Sequence, residues 1–271
     1  MSETKKGRLG FLRLFSRRDI WLIPLAYILF GIFLTLYQYK LIYHPDNTPP
    51  HTCNTNGILM NTDDDSIRGY YFPNSSKETD TLVVLYHGNA GNACHRQFYT
   101  KPIHSANHSL LIVEYPGFAE PDTPRTQNIL NYTHNVAKQI SKLGYEKFIL
   151  IGESIGSGFA SYHATHQTPE HLILITPFAK LSDVTQSVIP IYPTRLLLRS
   201  DLKVHEWAKS APRKTIIAAE NDEVIPIHHA KKLHRKLDIL DESLIIILNT
   251  SHNTISTSNK FYTYLTESLS K

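Results

Sequence analysis

The sequence predicts an α/β fold, with a mostly parallel central sheet flanked by helices. Seven short runs of apolar, β-branched residues recur along the chain. Segments with apolar residues at helical spacing separate several of them, and one run ends on a serine held between glycines. Strand–helix alternation of this kind builds a parallel sheet with crossover helices. The runs are continuous rather than alternating, as strands buried on both faces are.

In chain order, the first strand is "SIRGYYF" (66–72), followed by "TLVVLYHG" (81–88) and "SLLIVEYPG" (109–117). The remaining four are "KFILIGES" (147–154), "HLILITPF" (171–178), "KTIIAAEND" (214–222) and "SLIIILNT" (243–250). Helical spacing marks 126–143, 227–237 and 254–269. No internal repeat or long low-complexity tract interrupts the pattern.

The length, 271 residues, suits one domain of about 200–250 residues with an appendage. A hydrophobic content of 41% against 19% charged is enough for a packed core. The net charge of +4 resides in residues 1–19, where Lys5, Lys6, Arg8, Arg13, Arg17 and Arg18 face Glu3 and Asp19. The rest of the chain is balanced, which argues against a nucleic-acid-binding face, since that needs uncompensated Lys and Arg. Cys53 and Cys94 lack zinc-ligand spacing and are too few for a disulfide scaffold. They read as two free thiols, with one bridge left open for an oxidising compartment.

No charged side chain occurs from Ile20 to Tyr39. Twenty helical residues span about 30 Å, the thickness of a bilayer's hydrocarbon core. Trp21, Tyr37 and Tyr39 lie near the ends, where aromatic rings favour the headgroup level. A cleaved signal would need a small-residue site, and "QYKLIYHPD" offers none. The segment therefore reads as a single transmembrane helix at 20–39, behind a basic tail at 1–19. The tail's charge places the N-terminus in the cytoplasm and the main domain on the non-cytoplasmic side. Residues 40–64, rich in Pro, Asn and Thr over 44–58, read as a linker to a domain at 65–271.

The run at 147–154 ends in Gly152-Glu153-Ser154-Ile155-Gly156, ahead of a helix. A serine in this setting sits on a tight strand-to-helix turn that lifts its hydroxyl above the sheet. Glycines two residues away on either side remove side chains that would collide with the turn. The amide of Ile155, at the helix N-terminus, is one oxyanion donor. A serine hydroxyl needs a base, and the base an orienting acid. Chemistry in open α/β sheets gathers at the carboxyl ends of strands, where Asp222 and His252 lie. Ser154, Asp222 and His252 occur in the chain order this motif requires. Glu220, Glu223 and Asp183 are alternatives for the acid. "YHGNAGNA" (86–93) supplies a glycine-flanked turn in which the amide of Asn89 is the second oxyanion donor. His87 supports that loop, and Asn92 caps the helix after it. No metal or cofactor motif is present; the glycines do not fit a phosphate cradle.

With these residues the chain resembles the α/β-hydrolase superfamily over roughly residues 65–270. Within it the chain resembles the small branch of serine-aminopeptidase-like and palmitoyl-thioesterase-like hydrolases, many with an N-terminal membrane segment. That likeness rests on His87–Asn92, Tyr115–Ala119 and Asp222–Pro226. Two departures, Ala218-Ala219 before the acid turn and Pro116 after Tyr115, reshape the surroundings without touching a proposed catalytic group. The resemblance implies Ser154 as nucleophile, His252 as base, Asp222 as orienting acid and the Asn89 and Ile155 amides as oxyanion hole. It implies a membrane-anchored serine hydrolase of acyl esters or thioesters that uses no cofactor. Its substrate is a small acyl-bearing molecule, a lipid or a lipidated partner. An amide or peptide hydrolase, or a non-catalytic binding protein of the same fold, are the alternatives. Between Pro177 and Lys214 about 35 residues suffice for only a minimal cap. The cap's "VIPIYPTRLLL" is open to three readings: contact with an acyl chain, contact with a membrane surface, or simple packing.

Overall fold

The computed structural model describes residues 19–61, 67–74 and 80–270. The basic cluster of residues 1–18 and the first residue of the 66–72 run lie outside the described residues.

Eight strands form the main sheet. They are β2 (Ile58–Asn61), β3 (Arg68–Phe72), β4 (Thr81–Tyr86), β6 (Ser109–Val113), β7 (Lys147–Glu153), β8 (His171–Ile175), β9 (Lys214–Ala219) and β10 (Leu244–Ile247). Their order is β10-β9-β8-β7-β4-β6-β3-β2. The six from β10 to β6 are parallel, and at one edge β3 runs antiparallel to both of its neighbours, β6 and β2. Continuous apolar runs produce this because successive side chains enter opposite faces. In β4, Leu82, Val84 and Tyr86 join the core on one side while Val83 and Leu85 join the other. Helices α3 (Thr126–Gln139), α4 (Gly156–Ala164) and α8 (His228–Leu237) cover the first face. The second is covered by α2 (Thr100–Ser105) and α9 (Asn259–Ser270).

Several strands end one to three residues before the apolar run does. The excess residues, such as His87, Gly88 and Thr176, turn into the loops above the sheet. The cap is minimal: α5 (Leu181–Val188), α6 (Thr194–Leu197) and α7 (Val204–Trp207).

The N-terminal helix, α1 (Asp19–Ile42), is long and apolar enough over Trp21–Ile42 to cross a bilayer. Large apolar side chains stay exposed along its length, from Trp21 to Leu41, so it is not a core helix.

Two expectations are corrected. Residues 40–64 are not a plain linker, because β2 completes the sheet edge and β1 (His44–Pro45) pairs in parallel with β5 (Ala90–Gly91). The segment lacks a periodicity of its own and is held by backbone hydrogen bonds to distant residues. Cys53 and Cys94 are not free thiols: they form a disulfide, with Cα atoms 6.0 Å apart. The bridge fixes this segment to the 3₁₀ turn Ala93–Tyr99, which Asn92 caps through His95 N.

Candidate active site

β7 ends at Glu153 and α4 begins at Gly156, so Ser154 occupies a two-residue turn. Its φ is +54°, a left-handed conformation that costs a non-glycine residue about 1–2 kcal/mol. The glycines are sterically required: a Cβ on Gly156 would lie 2.1 Å from the Tyr86 carbonyl oxygen, and one on Gly152 2.5 Å from Ser157 Cα. Thr176, β-branched and at φ +46°, lines a cavity together with Ser154 and was not singled out from sequence.

The loops after β9 and β10 bring Asp222 and His252 to this turn. His252 Nε2 lies 3.1 Å from Ser154 Oγ, within hydrogen-bond reach. His252 Nδ1 donates to Asp222 Oδ2 at 2.8 Å and Oδ1 at 3.0 Å. Asp222 is buried, and Oδ1 also accepts the amides of Val224 (3.0 Å) and Ile225 (2.7 Å). Those bonds fix the carboxylate while it faces the imidazole. The three alternative acids are occupied elsewhere. Asp183 pairs with Arg195 and Lys232, Glu220 accepts the Asn249 amide, and Glu223 accepts the His252 backbone amide.

Asn89 lines a 260 Å³ cavity with Ser154 and His252, and Ile155 opens the helix beneath it. The Asn89 loop is tied from several directions. Asn89 Nδ2 donates to the Ile42 carbonyl at 2.9 Å, and Asn89 O accepts His44 N at 2.8 Å. The Asp46 amide donates to Gly91 O at 2.9 Å. Fully buried His87 lies 3.3 Å from Glu114 Oε1, and its carbonyl accepts the Tyr115 hydroxyl at 2.8 Å. Sequence reasoning foresaw the supporting role of His87 but not the strap formed by residues 42–46.

Arg96 and Glu153 were also missed. Arg96 Nε donates to both Glu153 oxygens at 3.0 and 3.1 Å, and its Nη2 reaches the Ala90 carbonyl at 3.1 Å. Burial raises the Glu153 carboxyl pKa, but the Arg96 charge and hydrogen bonds outweigh it and hold the group below the usual carboxylate range. The pair bridges the serine turn to the Asn89 loop. The one readable signal was a glutamate inside the glycine pentad. Among the described residues no cluster of metal-ligating side chains is found.

No family model matches the chain. Uncharacterized protein Rv2307c of Mycobacterium tuberculosis H37Rv is 25% identical over 213 residues, covering 74% of this chain and 76% of its own. YfhR of Salmonella typhi is 23% identical over 240 residues, covering 79% and 82%. Among solved structures, a Pyrobaculum calidifontis esterase aligns with TM-score 0.59 at 15% identity, over 87% of this chain and 89% of its own. Est1E of Butyrivibrio proteoclasticus with bound ferulic acid gives 0.59 at 14%, over 75% and 92%. The Pyrococcus furiosus esterase Pf2001 gives 0.60 at 14%, over 84% and 97%. The sheet order and these alignments show that this chain has the α/β-hydrolase fold.

Proposed function

We propose that the protein is a membrane-anchored serine hydrolase of carboxylic esters. The observation that carries this reading is the unbroken hydrogen-bond chain from Asp222 through His252 to the strained Ser154. A binding protein has no physical reason to keep that strain. The esterase names of the structural neighbours agree with it.

In this mechanism Ser154 Oγ attacks the ester carbonyl while His252 Nε2 takes its proton. Asp222 stabilises the imidazolium and holds the ring in place. The amides of Asn89 and Ile155 receive the oxyanion. His252 returns the proton to the leaving alcohol, and a water then hydrolyses the acyl-enzyme by the same steps in reverse roles. Thioesters follow the same path with a thiol leaving group, and the likeness to thioesterase-like hydrolases is what favours including them. Aminopeptidase activity is disfavoured. Among the described residues lining the cavity the one carboxylate, Glu153, is engaged by Arg96, so none is left to hold a substrate's free amino terminus.

The test is turnover of nitrophenyl butyrate, its thioester and an aminoacyl nitroanilide by the full chain. Ester hydrolysis is expected, with Ser154→Ala about 10⁶-fold slower. Turnover of none of them, or turnover untouched by Ser154→Ala, refutes the reading.

A further inference from the structure

Between α1 and the cap lies an apolar groove of 190 Å³, separate from the Ser154 cavity. Leu34, Leu41 and Ile42 of α1 form one wall; Val184, Val188 and Leu197 form the other. Gln38, which also lines the groove, has its amide engaged. It donates to the carbonyls of Thr35 and Leu197 and accepts the Arg199 amide. The groove therefore presents hydrocarbon to whatever enters it.

Two observations say what enters. The first is depth. The cap touches α1 from Ile42 back to Tyr27, where the Tyr27 and Tyr192 rings stack at 4.3 Å. Each tyrosine hydroxyl donates to a carbonyl across the contact, Tyr27 to Ile191 and Tyr192 to Tyr27. Fifteen helical rises separate the two, about 22 Å, roughly half of a 40–45 Å bilayer with its headgroups. A helix that crosses the membrane therefore sinks the cap through one leaflet. The cap's surface suits that position: Val188, Ile191 and Leu196 are 69%, 72% and 84% exposed. Arg195, on the same helix as Leu196, pairs with the buried Asp183 at 2.8 Å, with its own side chain 66% exposed.

The second observation is where the groove ends. Ile42 lines it, and the Ile42 carbonyl accepts Asn89 Nδ2 at 2.9 Å. Asn89 in turn lines the Ser154 cavity, so a residue of the groove wall is bonded directly to a residue of the cavity wall.

We infer that the groove between α1 and the cap holds the long acyl chain of a membrane-resident ester, which reaches Ser154 sideways from the leaflet. This rests on the esterase reading and specifies its substrate class. The membrane helix then serves as a wall of the binding site as well as an anchor.

The test uses the full chain in phosphatidylcholine nanodiscs, with nitrophenyl palmitate and nitrophenyl butyrate as substrates. Val188→Trp on the cap and Leu41→Trp on α1 plug the groove from opposite walls. Each is expected to lower palmitate kcat/KM at least tenfold while butyrate stays within twofold. Val188→Ala, which widens the groove and is the mildest change to the fold, is expected to leave the palmitate-to-butyrate ratio unchanged or raise it. Ile191→Trp, outside the groove, is expected to leave both esters unchanged. A palmitate-to-butyrate ratio unmoved by the tryptophans, or lowered equally by Val188→Ala and Ile191→Trp, overturns the groove and leaves the esterase intact. Failure of the unmodified chain on both esters overturns the esterase reading itself.

Discussion

Ser154 and His252 stand close enough to exchange a proton, and Asp222 holds the ring that does it. Asp222→Asn keeps the shape but favours the wrong imidazole tautomer. The expected result is a kcat loss of about 10⁴-fold with KM little changed, read from ester kinetics. Gly156→Ala is expected to fail differently, because its Cβ has nowhere to go between α4 and the Tyr86 carbonyl. Loss of folded protein is the outcome; a variant that folds and turns over normally would show that the turn relaxes. The serine and histidine were legible in the sequence because motif and strand ends both point at them. Arg96 and Glu153 were not: their partnership spans 57 positions, and no local pattern encodes it.

At the level of elements, strands were legible because burial on both faces demands unbroken apolar runs. Their carboxyl ends were overrun because His87, Thr176 and Asp222 extend the runs into the loops that build the site. The strap at 42–46 was invisible, since its bonds to the Asn89 loop all end on main-chain atoms of 42–46, which any residue carries. It makes a kinetic prediction. Asn89→Ala keeps the proposed oxyanion amide but removes the tie to Ile42, so the loop loses its anchor to α1. A fall in kcat of about tenfold is expected, less than the 10²–10³ of a lost donor. Affinity for a boronic acid, which mimics the tetrahedral intermediate, should fall in parallel while KM holds. A change in KM alone contradicts this role for the strap.

For the whole molecule, the Cys53–Cys94 bridge suits an oxidising compartment. Closing a loop of 41 residues contributes about 4 kcal/mol in the chain-entropy view. Cys94→Ser is expected to lower the melting temperature accordingly, and non-reducing peptide mapping should recover the two cysteines joined. Stability should also depend on pH through buried histidines. Burial holds His163 neutral down to about 4 and His171 down to about 3, from an ordinary 6.5. The His163 ring accepts the Tyr86 hydroxyl at Nδ1 and donates from Nε2 to Gln167. The unfolded chain protonates both near 6.5, so their stabilisation is complete above pH 6.5 and drains as pH falls toward 4. His163 alone accounts for roughly 3 kcal/mol. Melting curves from pH 7 to 4.5 should show the decline, and His163→Gln should flatten it.

The proposed chemistry rests on the reactivity of one side chain, Ser154. The direct measurement is mass spectrometry of the full chain, in native membranes, after exposure to a fluorophosphonate. One phosphonyl adduct on the Ser154 peptide is the predicted result, absent in Ser154→Ala and slow to form in His252→Ala. An adduct on a different residue, or none on the folded unmodified chain, contradicts it.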